Sequence, residues 1–315
     1  MRLREGALVN IMPELTGYAH PEYALSLREF GEPHELPHCG GWIIVRPISS
    51  TPYKDAMGCY PLFACQDWSL LHKDMAKFKD EGLVSLALVA DPFGKVEPHY
   101  LNQCFDVVTP FKEHFVLDLG NPVPRKVTRH HRTVARKALQ NIEVEVCPEP
   151  AQWLDEWVEL YQTLTERHKI KGIRAFSRTA FDRQLSIPGM VMFRASAQGV
   201  SVGMELWYVQ GEVAYYHLAA CSPRGYELGA AYALRWTAIE HYVQGQEVKW
   251  LNQGGGLNTD GSDGLSQFKK GWSSGTRKAY FCGHILDHEK YSEIVEKKGI
   301  TDTNYFPAYR EGEFF

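Results

Sequence analysis

Three strand-like runs in immediate succession constrain this chain more than anything else in it. MVMFRASAQG, VSVGMELWYVQG and EVAYYHLAA fill residues 190–220. The dipeptides Gln198-Gly199 and Gln210-Gly211 separate them, and glycine turns between apolar runs predict an antiparallel meander. CSPRGYELGA then opens a helix predicted over about Tyr226–Val243, and VKWLN (248–252) reads as one more strand. Strands and helices alternating at this pitch predict an α/β fold for the second part of the chain.

The first third alternates in the same way. GWIIVRPI (41–48) reads as a strand, and Asp67–Lys79 as an amphipathic helix with Leu70, Leu71, Met75 and Phe78 on one side. LVSLALVAD (83–91) is a continuous apolar run of the buried-strand kind, and HFVLDL (114–119) is another strand. Gly120, Pro122 and Pro124 punctuate the text at 120–126. The chain is thus expected to divide into residues 1–124 and 125–315. Beyond the punctuation, 125–140 reads as a helix with six Lys or Arg and no acid, IEVEV (142–146) as a short strand, and Ala151–His168 as a helix. A helix starts near Gly264, and AYFCGHIL (279–286) is the last strand.

Several local patterns carry chemistry. The basic segment contains Arg132-x-x-x-Arg136-Lys137-Ala138. VKWLNQGGG ends a strand in glycines, and Gly264-Leu265-x-x-Phe268-Lys269 opens the helix after the glycine-rich loop. In this order the segments resemble the FemAB-like branch of the acetyltransferase (GNAT) fold. The match covers about the last 190 residues well and the first 120 loosely. The resemblance implies two tandem GNAT-like halves with mixed sheets flanked by helices. It also implies transfer of an acyl or aminoacyl group to an amine of a cell-envelope or polysaccharide precursor, with acyl-CoA or aminoacyl-tRNA as co-substrate. The acceptor would be a small or nucleotide-linked molecule. The other readings are a non-catalytic GNAT-like binding module and an acetyl-CoA N-acetyltransferase acting on a small amine.

The candidate residues follow from these patterns. GNAT proteins hold the CoA pyrophosphate on amides at a helix N-terminus, within R/Q-x-x-G-x-G/A. Arg224 and Gly229 fit that pattern, but Glu227 stands where the middle glycine belongs. Arg132 and Arg136 are candidate anion ligands, or members of a solvated basic face. In the meander, Glu205 lies mid-strand as a candidate base or a solvent-facing carboxylate. Strand periodicity puts Tyr215 and His217 on one face and Tyr216 and Leu218 on the other, so Tyr216 and His217 are candidate proton carriers. Gly255 lies in a loop that lets a ligand approach backbone. Leu265, Phe268 and Trp272 share one helical face. Lys269 then falls at its edge, partly exposed, while Lys270 turns to solvent. On residues alone Lys269 reads as one of a solvated pair, and the resemblance makes it the candidate that stabilises an oxyanion. The loop 253–264 is neither a Walker A loop nor a dinucleotide fingerprint, and Asp260 and Asp263 are too sparse for an EF-hand.

Charge and cysteine content bound the rest. A net charge of −4 and a pI near 6.4 argue against capture of nucleic acid, DNA included, by the whole surface and favour a CoA thioester over a tRNA as donor, with a local basic patch and a possible tRNA partner left open. The start MRLREGALVN has no apolar core of a secretory signal, and no apolar run approaches ~18 residues, so a cytoplasmic protein without a transmembrane segment is expected. Seven cysteines at irregular spacing, with no CxxC, suit reduced thiols. PHELPHC, with His34, His38 and Cys39, reads as a solvated loop rather than a metal site.

Overall fold

The meander forms as its turns dictate. In a computed structural model that describes residues 15–120, 127–257 and 263–313, β7 (Met190–Ala197), β8 (Val200–Gln210) and β9 (Val213–Cys221) pair antiparallel in sequence. Gln198 and Gly199 both take positive φ, 52° and 79°, the conformation that tight hairpins require. β6 (Glu143–Cys147) extends this edge, and β10 (Trp250–Asn252) lies parallel to β9 on the other side.

The earlier part repeats the plan. β1 (Glu32–Leu36), β2 (Gly41–Pro47) and β3 (Lys54–Gly58) form an antiparallel run, and β4 (Leu83–Ala90) is parallel to β3. β5 (Val107–Asp118) and β11 (Gly275–Ile285) then exchange places: β5 pairs with β10, β11 with β4, and the two pair with each other. The result is one 11-stranded mixed sheet in the order β1-β2-β3-β4-β11-β5-β10-β9-β8-β7-β6. Both parts of the chain therefore share a meander-then-parallel-strand topology. The expected division at 124/125 lies within residues 121–126, outside the described residues.

Helices cover both faces. α4 (Arg129–Ala138), α8 (Ala230–Gly245) and α9 (Gly264–Gly271) bury Ala135, Ala138, Leu234 and Ile239 over the β5–β10–β9–β8–β7 face, with Trp272 just beyond α9. α1 (Pro21–Ser26), α5 (Leu154–His168) and α6 (Arg178–Gln184) cover the opposite face through Tyr23, Trp157, Tyr161 and Phe181. α2 (Leu71–Phe78) and α3 (Pro98–Cys104) pack on β2–β4 and β11, and α10 (His288–Lys297) closes a small core around Ile294.

Several expectations need correction. Residues 226–243 are not one helix: a short α7 (Pro223–Leu228) ends at Gly229, whose φ of +76° breaks the chain before α8. PHELPHC is not a loop, since Glu32–Leu36 is β1. There His34 faces Glu81, and His38 bonds Asp74, which also accepts the Cys39 amide. The faces of β9 also differ from strict alternation. A bulge at His217 shifts the register between Leu206 and Trp207, so Leu218 packs in the Tyr18 core while Tyr216 packs in the Leu117 core. Among the described residues no helix is long and apolar enough to cross a membrane, and all seven cysteines are free thiols.

Candidate functional site

The site arises where β10 leaves β9. Their pairing stops at Asn252–Tyr215, yet β9 runs on to Cys221, so the strands part beyond Tyr215. β10's chain stays with β5 instead: the Gln253 amide donates to Phe115 O, and the Phe115 amide to Gly254 O. Successive residues at this end face opposite sides. Asn252 accepts from His114 Nδ1 at 3.0 Å on one side. On the other, Gln253 Nε2 donates to Trp272 O and Ser273 Oγ.

Two lysines grip the glycines that follow. Lys269 Nζ donates to Gly255 O at 2.7 Å, and Lys112 Nζ to Gly256 O at 3.0 Å. Glycine is required here by space and by backbone: Gly254 has φ +71°, and a Cβ on Gly255 would lie 3.1 Å from the Lys112 side chain. Lys269 is 5% exposed, not partly exposed as its place on α9 suggested, because the loop folds back over its ammonium. Burial first, then Arg235 and Lys112, bring its pKa down to about 7, opposed by Asp263 and Glu205. Its nitrogen lies 5.2 Å from the centre of the Tyr216 ring. Burial and the nearby Arg174 also lower Lys112, against Asp263. His114 is pushed down to about 4, by burial above all, and stays neutral at pH 7.

Behind the lysines lies a buried ion pair. Arg235 Nε donates to Glu205 Oε1 at 2.9 Å, and each residue is 1% exposed. Trp207 Nε1 donates to the same oxygen, and Arg235 also donates to Gln253. This bears on the reading of Glu205 as a base: its Oε1 accepts from two donors, one of them a buried guanidinium, which favours a structural ion pair. Burial raises the Tyr216 hydroxyl pKa, which the nearby Arg235 partly opposes, so Tyr216 remains a neutral phenol.

The other candidates divide. Phe268 anchors α9 between Tyr232 and Trp272, and His131 Nε2 donates to its carbonyl. His217 is not part of this site. It accepts from Tyr18 and donates to Gln184 on the opposite face, and burial pushes its pKa down to about 3. Arg224 is exposed and pairs with Glu227 at 2.8 Å. The Ser222 hydroxyl already caps the Gly225 amide of the 221–230 turn, and Gly229 sits against Ala138 of α4, which leaves little of a pyrophosphate cradle. Arg136 is exposed near Glu240. Arg132 Nε is buried with no hydrogen-bond partner among the described residues. Residues 258–262 of the glycine-rich loop, with Asp260, lie outside the described residues. A cavity of about 430 Å³ lined by Asp118, Trp250 and Ser274 opens at the other end of β10 and holds none of these groups.

Residue patterns had missed Lys112, Arg235, Gln253, Asn252 and His114. Gln253 and Asn252 did sit beside the glycine run. Nothing local marks Lys112 or Arg235.

Residues 125–270 match the family described as an acetyltransferase (GNAT) domain. This part of the chain carries the match to a GNAT domain. It spans the parted strands, Lys269 and the Arg235–Glu205 pair. The likeness of fold extends beyond it: a crystal structure of FemX superposes with a TM-score of 0.66 at 14% identity, covering 87% of this chain and 93% of that one. The C-terminal domain of a putative lysylphosphatidylglycerol synthetase from Agrobacterium fabrum gives 0.59 at 14% identity, over 88% and 91%. L-PGS from Bacillus licheniformis gives 0.57 at 14% identity, over 92% and 100%. At these identities the likeness is one of fold. No curated protein matches the sequence.

Proposed function

We propose that this chain transfers an acyl or aminoacyl group to an amine of a cell-envelope or polysaccharide precursor, at the glycine loop gripped by Lys269 and Lys112. The observation that carries this reading is Lys269 itself. It is a buried amine at the parting of two strands, with Gly255 O as its one acceptor among the described residues. Its other protons are left for a ligand. The similarity to FemX and to a lysylphosphatidylglycerol synthetase domain supports an envelope-linked acceptor.

In this reading the acceptor amine attacks the activated carbonyl, and the carbonyl π pair moves onto oxygen. The Lys269 ammonium donates a hydrogen bond to that oxyanion. On collapse the C–S or C–O bond breaks, and the surplus proton of the attacking amine leaves with the thiol of CoA or the ribose hydroxyl of a tRNA. Holding both substrates in the cleft supplies much of the rate, and a preorganised donor adds roughly 2–4 kcal/mol. No covalent enzyme intermediate is involved.

The unpartnered Arg132 Nε supports an anion site along α4. Arg132→Glu with Arg136→Glu is expected to weaken ligand binding and flatten its salt dependence. Calorimetry with acetyl-CoA, free CoA and a charged tRNA tests the donor. We expect the CoA thioester to bind in preference to the tRNA, given the pI near 6.4. Binding of the tRNA alone would reverse that choice, and binding of none would remove the transferase reading.

A further inference from the structure

Arg235 is costly to bury, and the fold surrounds it completely. A guanidinium taken out of water needs a counter-charge and acceptors for its protons. Glu205 supplies the charge from β8, and Gln253 an acceptor from the end of β10. Three rings complete the cage: the Arg235 carbon lies 4.4 Å from the centre of Tyr216, 5.2 Å from Trp207 and 5.6 Å from Phe268. These partners come from β8, β9, the β10 terminus and α9, the elements that bound the parted strands. Hydrophobic residues of equal volume would stabilise such a core at least as well.

Resting on the reading of Lys269 above, we propose that Arg235 is a positioning residue: it ties α8 to the end of β10 and to the Tyr216 ring, and so fixes both the place and the charge environment of the Lys269 amine. The tether is direct, because Gln253 is two residues from the carbonyl that Lys269 grips. The charge effect is also direct. The groups facing Lys269 are Arg235 from α8, Lys112 and His114 from β5, Glu205 from β8, Tyr216 from β9 and Asp263 at the start of α9. Of the cations that disfavour its proton, Arg235 acts more strongly than Lys112.

The test is an NMR pH titration of protein carrying 13C,15N-labelled lysine, with the Lys269 signal assigned by its loss in Lys269→Arg. In the native chain Lys269 is expected to titrate near 7. The pair Arg235→Met with Glu205→Gln removes both charges without stranding either, and should move that titration up, since Arg235 acts on the amine more strongly than Glu205 does. If the pair does not fold, Arg235→Gln, which still donates to Glu205, carries the same expectation. Arg235→Lys should leave the titration near its native value and restore turnover. Under the proposal, the uncharged variants raise the ammonium fraction of Lys269 but misplace it, so kcat falls while KM holds. A Lys269 titration that stays in place in a folded, uncharged variant overturns the inference. If it moves as expected but Lys269→Met keeps full turnover, Arg235 does position the amine and the role given to Lys269 fails instead.

Discussion

Lys269 and Lys270 are neighbours with different surroundings: one is buried against Gly255 O, the other exposed on α9. Lys269→Ala is expected to lower turnover about 10²–10³-fold, the effect of deleting one oxyanion donor. Lys270→Ala should be near neutral. A turnover assay on both variants checks this, and equal small effects would leave the pair as a surface charge run. Burial adds a stability effect that a partly exposed lysine would lack. The folded amine titrates near 7 against a usual 10.5, so between those values the unfolded chain binds more protons and stability rises with pH. Below 7 both states are protonated and the slope vanishes. Urea unfolding from pH 6 to 10 should show the rise, and Lys269→Met should flatten it.

At the scale of elements, the contact of α4 with α9 depends on a missing side chain. A Cβ on Gly271 would lie 2.1 Å from Cε1 of the His131 ring, which bridges Thr128 and the Phe268 carbonyl. Gly271→Ala should push α4 away from α9 and cost about 1–3 kcal/mol in urea unfolding. Gly264, at the other end of α9, has nothing within 4 Å of its Cβ position. Gly264→Ala should be neutral or stabilise by up to about 1 kcal/mol. A loss from both would mean that α9 tolerates no added side chain at either end. α9 was legible from Leu265, Phe268 and Trp272, because an apolar stripe at helical spacing is a local pattern. The break at Gly229 was not, since one glycine inside a helical pattern reads equally as interior or cap until φ is known.

For the whole molecule, the exchange of β5 and β11 makes each half's parallel strand depend on the other half. β4 has β3 on one side and β11 on the other. A fragment of residues 1–124 lacks β11, so we expect it to show no cooperative melt alone and to gain one when residues 125–315 are added. Independent folding of the fragment would show that the exchange is dispensable. Acid should also weaken the fold from two sides of the sheet. His114 titrates near 4 and His217 near 3 when folded, against a usual 6.5. As pH falls below about 6.5 the unfolded chain takes up protons that the folded chain refuses, so stability falls. The loss should reach roughly 2 kcal/mol or more by pH 4, and replacing both histidines with Gln should shrink it. Chemical denaturation across this range measures it.

Local pattern determined the meander, the helices with apolar stripes and the glycine-rich strand end, because each rests on periodicity or turn chemistry within a few residues; the choice of Phe268-Lys269 came from the family resemblance. The sequence also carried the resemblance to the GNAT fold, which the family match and the superpositions bear out. The tertiary structure alone decided which charges are buried and with what. Glu205, read as a base, is 30 positions before its partner Arg235, and Lys112 reaches Gly256 across 144. Such pairings come from strand order and from the exchange of β5 and β11. The bulge that turns Leu218 away from Tyr216 has the same origin, because register is set by the neighbouring strand and not by the residues that carry it.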